Sequence, residues 1–140
     1  MDMADIKQTR LSRALDDKKY MSGQVSELSR YISFGLIAVA YVLISSDSLF
    51  AQSLVAEAGL IVLSIGAIGC VGVLFDYCQY ISGYIAAGKA VKNNNANREH
   101  QYNTEWLSMR LKVAFYFMKQ VTALSGSLLL TWMMVKIALA

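Results

Sequence analysis

Residues 58–75 read AGLIVLSIGAIGCVGVLF, eighteen consecutive positions without a charged side chain. A helix of this length rises about 27 Å, close to the ~30 Å apolar thickness of a bilayer. Two further charge-free stretches, residues 31–46 and 120–135, contain sixteen positions each. Their flanking residues Arg30, Lys119 and Lys136 have long stems that can carry the charge to the bilayer surface. The sequence therefore predicts three membrane-spanning helices.

The composition of the whole chain points the same way. Among 140 residues, 56% are hydrophobic and only 16% are charged, and the mean hydropathy is +0.40. A soluble domain of this size carries about 25% charged residues, and a disordered chain has far fewer apolar ones. The chain has no proline, so long unbroken helices are permitted. We predict an all-α integral membrane protein; a soluble bundle is the alternative, disfavoured because no segment has a strongly charged outer face.

We interpret the chain as a single helical membrane domain, residues 1–140, whose spans continue into a cytoplasmic helical stalk. The predicted segments in chain order are a cytoplasmic helix at 4–30, the first span at 31–50, the second span at 53–75 continuing as a cytoplasmic helix to 92, a loop at 93–103, and a helix at 104–139 whose C-terminal part, 119–137, is the third span.

The distribution of basic residues predicts the orientation. Six Lys and Arg residues precede the first span, none lies in residues 47–52, and four lie in residues 76–110. The positive-inside rule then places the N-terminus in the cytoplasm and the C-terminus outside the cell inner (plasma) membrane. Thirty residues before the first apolar stretch are too many for the n-region of a signal peptide. We therefore expect the first span to be a retained anchor.

The N-terminal segment has the spacing of an amphipathic helix. Lys18 interrupts its apolar stripe, and Gly23 weakens it. About three heptads of such a stripe favour packing against partner helices, and a helix lying on the membrane surface is the alternative. The apolar positions are Leu11, Ala14, Met21, Val25, Leu28 and Ile32.

The second and third helices are predicted to form an antiparallel hairpin. If the chain turns near Asn97, facing residues have numbers that sum to about 194. Charges at membrane depth are costly unless they are paired or interfacial, so we predict ion pairs in this register. They are Glu57 with Lys136, Asp76 with Lys119, and Lys89 with Glu105.

Small residues mark one side of the second span, because Gly59, Gly66, Gly69 and Gly72 all lie within it. Lipid offers no hydrophobic drive for helix association, and small residues let helices approach closely. Packing within the chain and packing between subunits both fit this pattern.

Hydroxyl side chains of the third span are candidates for lining water. They include Thr122, Ser125 and Thr131. The alternative is that each hydroxyl bonds the backbone of its own helix or of a neighbour.

The chain carries no recognisable catalytic or metal-binding pattern. His100 is the sole histidine, and Cys70 and Cys78 lie eight residues apart, with one inside a span. Glu57 and Asp76 flank the second span and are about 28 Å apart along a helix, so they cannot share acid–base chemistry. We expect neither enzymatic activity nor a cofactor nor a disulfide.

Four basic residues on the predicted cytoplasmic side are candidate contacts for a nucleotide, an anionic lipid or an acidic protein partner. They are Lys89, Lys92, Arg98 and Arg110. The alternative is that they only reflect the usual basic character of inside loops.

In layout, residues 5–92 resemble SLATT-type proteins, small multi-span membrane effector subunits of bacterial phage-defence systems. Those proteins have an N-terminal cytoplasmic helix, a two-span hairpin and a following cytoplasmic helix. The third span of this chain departs from that layout, and no diagnostic motif accompanies the resemblance. The resemblance implies membrane disruption, triggered by a nucleotide or a protein partner, that stops growth of an infected cell.

We therefore hypothesise a homo-oligomeric membrane effector that forms an ion-conducting pore or otherwise perturbs the bilayer. Three spans cannot enclose a channel alone, so four or more copies are expected. A scaffold or accessory subunit of a larger membrane complex is the main alternative. A holin-like lysis protein is a third option, although the end of this chain, KIALA, lacks a charged cytoplasmic tail.

Overall fold

The computed structural model describes residues 2–93 and 107–140, and nearly all of these residues are helical. Helix α1 spans Met3–Ser45, α2 spans Leu49–Asn93 and α3 spans Leu107–Leu139. At 1.5 Å per residue, helices of 43, 45 and 33 residues are all longer than a bilayer core is thick. Each of the three is long and apolar enough to cross a membrane. The prediction of an all-α chain with three candidate spans is confirmed at this level.

The helices begin and end at different residues from those predicted. The first segment and the first span form one unbroken helix, which ends at Ser45 rather than at residue 50. Helix α2 runs to Asn93, and α3 is described from Leu107 onward. The rest of the predicted loop and the first residues of the predicted third helix, 94–106, lie outside the described residues.

A short polar turn, residues 46–48, connects α1 to α2. The Ser46 Oγ accepts a hydrogen bond of 3.2 Å from the Ser48 amide. The Ser48 Oγ accepts one of 3.2 Å from the Ala51 amide, which is the geometry of a helix N-cap. The Ser48 carbonyl also accepts the first backbone bond of α2, from Gln52. Serine at these positions thus lets the chain reverse within three residues.

Helix α2 packs against both α1 and α3, and α1 and α3 also contact each other. The buried apolar core consists of Leu36 and Ala40 from α1, Val62 and Ile65 from α2, and Met133 from α3. The outward faces of the same helices expose leucines, including Leu60, Leu63 and Leu128. An apolar outer surface around an apolar core is compatible with a bundle surrounded by lipid.

The glycines of the second span bring α2 close to α1. A Cβ on Gly66 would lie 3.0 Å from the Ala40 Cβ, and one on Gly69 would lie 2.7 Å from the Ser33 carbonyl oxygen. Gly72 faces the Ser33 side chain in the same way. Three of the four predicted packing glycines therefore serve contact within the chain, while Gly59 has only Val55 of its own helix nearby.

We predict that Gly69→Ala lowers the free energy of unfolding by about 1–3 kcal/mol, because the added methyl group must push α1 away from α2. Gly88→Ala is the matched control, since a Cβ there meets no atom within 4 Å. It should raise stability by up to about 1 kcal/mol through helix propensity. The free energy of unfolding of both variants is measured in detergent by reversible titration with sodium dodecyl sulfate, followed by circular dichroism. Equal effects of the two substitutions would contradict the close contact at Gly69.

Candidate functional site

One carboxylate joins all three helices where the charge-free stretches end. The Arg30 Nε of α1 donates a hydrogen bond of 2.7 Å to the Asp76 Oδ2 of α2. The Lys119 Nζ of α3 donates one of 2.6 Å to the Asp76 Oδ1. The structure thus places Asp76 and Lys119 in contact, as the hairpin register predicted, and adds Arg30 as a second cation.

Two further side chains complete this site. The Lys119 ammonium donates to the Ser26 hydroxyl of α1, and the Arg30 guanidinium donates to the Tyr80 hydroxyl of α2. The guanidinium carbon also lies 5.0 Å from the centre of the Tyr80 ring, within the range of a cation–π contact. We call Ser26, Arg30, Asp76, Tyr80 and Lys119 the polar junction.

The polar junction is buried unevenly. Lys119 is only 1% exposed and Asp76 is 8% exposed, whereas the Arg30 side chain retains 30% of its surface. A buried charge is tolerated only when it is paired and hydrogen-bonded, and Asp76 supplies that partner to Lys119. The junction carries two cations and one anion, and the excess positive charge can reach the surface through Arg30.

The polar layer extends sideways between α1 and α3. The Ser29 hydroxyl lies within hydrogen-bond reach of the Gln120 Oε1 and of the Val25 carbonyl oxygen. Within the described residues, the Gln120 Nε2 and the Gln79 Oε1 are buried without a hydrogen-bond partner. Ordered water satisfies such groups in many proteins, so this layer is suited to hold water near the ion pairs.

Aromatic side chains surround the polar junction on the outside of the bundle. Tyr31 of α1, Tyr77 of α2 and Phe117 of α3 are exposed, as is Tyr80 of the junction itself. Tyrosine rings concentrate where a membrane meets water. This belt of aromatic side chains therefore favours a position of the polar junction near one surface of the membrane.

The other two predicted ion pairs have different outcomes. Glu57 and Lys136 line the same cavity at the far end of the bundle, but they form no ion pair within the described residues. The Lys136 ammonium lies instead 4.9 Å from the centre of the Trp132 ring. Lys89 is exposed on α2, and its predicted partner Glu105 lies outside the described residues.

The three candidate pore-lining residues do not share one surface. Thr122 is half-buried, and its Oγ1 lies 3.2 Å from the position of a Cβ on Gly72, inside the bundle. Ser125 and Thr131 are exposed. Each of the three hydroxyls donates to a carbonyl oxygen of α3 itself, at 2.7–2.9 Å. In this arrangement the hydroxyls satisfy their own helix, and only two of them face outward.

The candidate cytoplasmic contacts lie near the ends of two helices. Lys89 and Lys92 are exposed on the last turns of α2, and Arg110 is exposed on the first turn of α3. Arg98 lies outside the described residues. Across residues 2–93 and 107–140, His, Cys, Asp and Glu side chains form no group of three that could hold a metal ion.

Arg30 is the functional residue whose role the sequence did not reveal. It stands directly before the first charge-free stretch, just as Lys119 and Asp76 stand directly beside theirs. Placing the ends of all three stretches at one depth would have brought the three charges together. A register was predicted only for the pairing of α2 with α3, so the residues that face α1 were not predicted.

We predict that Asp76→Asn lowers the free energy of unfolding by about 3–5 kcal/mol, because it leaves the buried Lys119 without its counter-charge. The double variant Asp76→Asn with Lys119→Met removes that buried cation too, and it should recover at least half of the loss. Asp47→Asn, in the exposed turn between α1 and α2, is the control and should be close to neutral. A double variant no more stable than the single one would contradict the pairing.

A simple exchange of charges is a poorer test of the same contact. Asp76→Lys with Lys119→Asp would restore one ion pair but would place the new lysine against Arg30. We therefore expect this exchange to remain destabilised, measured by the same unfolding titration in detergent.

No protein-family model, curated protein or solved structure matches the chain.

Proposed function

We propose that the chain is a homo-oligomeric membrane effector of the plasma membrane, with the N-terminus in the cytoplasm and the C-terminus outside. In this proposal it forms an ion-conducting pore or otherwise perturbs the bilayer. The observation that carries the proposal is the first part of α1, residues 3–25, which we call the arm. Every residue of the arm is exposed, although the helix continues without a break to Ser45.

The direction of the arm decides what can cover its apolar side. Because α1 is continuous, the arm extends the axis of the first span away from the bilayer for about 34 Å. A helix lying on the membrane surface would need a bend between the arm and the span. The exposed side chains of Leu11, Leu15, Met21 and Val25 therefore face water rather than lipid. An apolar stripe in water favours contact with another protein surface.

A second copy of the chain fits this surface. Copies inserted in the same orientation hold their arms parallel and at the same height, which is the register of a parallel coiled coil. Lys18 would then occupy a core position of the seam, with Asp17 of the neighbouring copy at the flanking position as its counter-charge. Four or more copies assembled in this way would surround a central path.

The trigger of the proposed effector would act on the same cytoplasmic side. The exposed Lys89, Lys92 and Arg110 supply positive charge suited to a nucleotide or to an acidic protein partner. Such a trigger is what the resemblance in layout to phage-defence effectors implies.

A scaffold or accessory subunit is the second candidate function, and a specific observation favours it. The outward face of α3 carries Leu124 and Leu128 beside hydroxyls that already bond their own helix. Such a face suits contact with lipid or with another membrane subunit as well as it suits a water path. A scaffold would dock its partner on the arm and would conduct no ions.

We predict that Met21→Asp abolishes assembly, because it places a charge in the apolar seam of the arm and forfeits about 1.5–3 kcal/mol of burial for each copy. The mass of the purified chain in mild detergent, by light scattering, should fall from an oligomer to a monomer, and ion flux in liposomes should be lost. Ser12→Asp adds the same charge outside the seam and should leave the oligomeric mass and the ion flux unchanged. An oligomer that persists in Met21→Asp would contradict assembly through the arm.

We predict that Ser125→Leu or Thr131→Leu lowers single-channel conductance in planar bilayers, because each replaces an outward hydroxyl by an apolar group. Leu124→Ile is the control and should conduct as the parent chain does. Conductance that stays unchanged in both variants would remove α3 from the lining of the path. A parent chain that forms the oligomer and never conducts would favour the scaffold.

A further inference from the structure

A cavity of about 470 Å³ lies at the end of the bundle away from the polar junction. Its walls come from the start of α2 and the end of α3, and its apolar lining includes Phe50, Ile61 and Ile137. The cavity adjoins a break in α2, where Ala58 has φ −130° and ψ 25° inside an otherwise helical segment. A break of this kind changes the direction of a helix, and here it lies in the wall of the cavity.

Two side chains of opposite charge line the cavity without pairing. Glu57 has no hydrogen bond or ion pair within the part of the chain that the structure describes, and Lys136 contacts the Trp132 ring. Glu57 directly precedes the eighteen-residue charge-free stretch, so its carboxylate lies at the edge of the apolar span. A carboxylate at that depth is costly unless a cation or water reaches it. The cavity thus offers a carboxylate that can bind a cation and an ammonium group that can bind an anion.

We propose that this cavity binds a membrane phospholipid with a phosphoethanolamine headgroup. Its primary ammonium group donates hydrogen bonds to the Glu57 carboxylate, and its phosphate pairs with the Lys136 ammonium. The apolar wall about one turn deeper in the span, formed by Ile61 of α2 and Met133 of α3, contacts the beginning of an acyl chain.

The contacts to Glu57 and Lys136 also set the preference among lipid headgroups. A phosphocholine headgroup has no N–H to donate to Glu57, and a phosphoglycerol headgroup has no cation. The inference depends on the placement of the bundle in a membrane and not on assembly or ion conduction.

The test is competition among three lipids with identical acyl chains. The full chain, purified and stripped of lipid in detergent, receives equal amounts of phosphatidylethanolamine, phosphatidylcholine and phosphatidylglycerol. Native mass spectrometry then counts the lipids bound. We expect about threefold enrichment of phosphatidylethanolamine over phosphatidylcholine, the scale of a partly exposed ion pair. Glu57→Gln should reduce that ratio to one, and Lys136→Gln should lower binding of all three lipids.

Asp47→Asn is the matched control, because it removes a nearby exposed carboxylate that does not line the cavity. It should keep the enrichment of the parent chain. Equal binding of the three lipids to the parent chain, or a preference that survives in Glu57→Gln, would overturn the proposal. Excess water-soluble glycerophosphoethanolamine should leave the lipid in place. Displacement by that compound would overturn the assignment to a lipid and indicate a soluble phosphoamine ligand.

Discussion

The Asp76 carboxylate is the group on which the arrangement of the three helices depends. It accepts hydrogen bonds from a cation of α1 and from a cation of α3. These bonds fix the positions of α1 and α3 along the axis of α2. Without it, Lys119 would be an almost completely buried cation with one hydroxyl partner, at a cost of several kcal/mol. The close approach of α1 at Gly69 and Gly72, one to two turns away, brings Arg30 within reach of the same carboxylate.

The contact at Arg30 also has a consequence for the arm. Because α1 is one continuous helix, the height of Arg30 sets the height of every residue before it. Leu11 lies 19 residues away, or about 28 Å along the axis. In the proposed oligomer, copies inserted in the same orientation would hold the apolar stripes of their arms at the same distance from the polar junction. A displacement of α1 at the polar junction would move the arm as a rigid rod. In the proposed effector, a partner that binds the arm would displace α1 at the polar junction in the same way.

The parts of this arrangement that follow from sequence are those governed by uniform helix geometry. Charge-free stretches locate the candidate spans, and the rise per residue brings Asp76 opposite Lys119 across a hairpin. Glu57 and Lys136 line one cavity without pairing, beside the break of α2 at Ala58, and no proline marks that break. The inward direction of Thr122 and the position of Arg30 depend on how closely α1 approaches α2. That distance is set by contacts at glycines, and the sequence pattern left open whether those glycines face a helix of the same chain or another subunit.

The polar junction and the outward face of α3 differ in polarity, and this difference bears on how a conducting path would form. At the polar junction the charges are satisfied within the chain, so this end is suited to act as a fixed joint. On α3, the outward hydroxyls of Ser125 and Thr131 stand among Leu124 and Leu128. If several copies surround a path with this face, the path is narrow and largely apolar, and such constrictions stay closed by excluding water. In the proposed oligomer, opening the path would require the copies to rotate or separate, and the arm is long enough to apply that motion from the side proposed to be cytoplasmic. The proposed effector would need both features, a path that excludes water before the trigger binds and a rigid helix that transmits the motion.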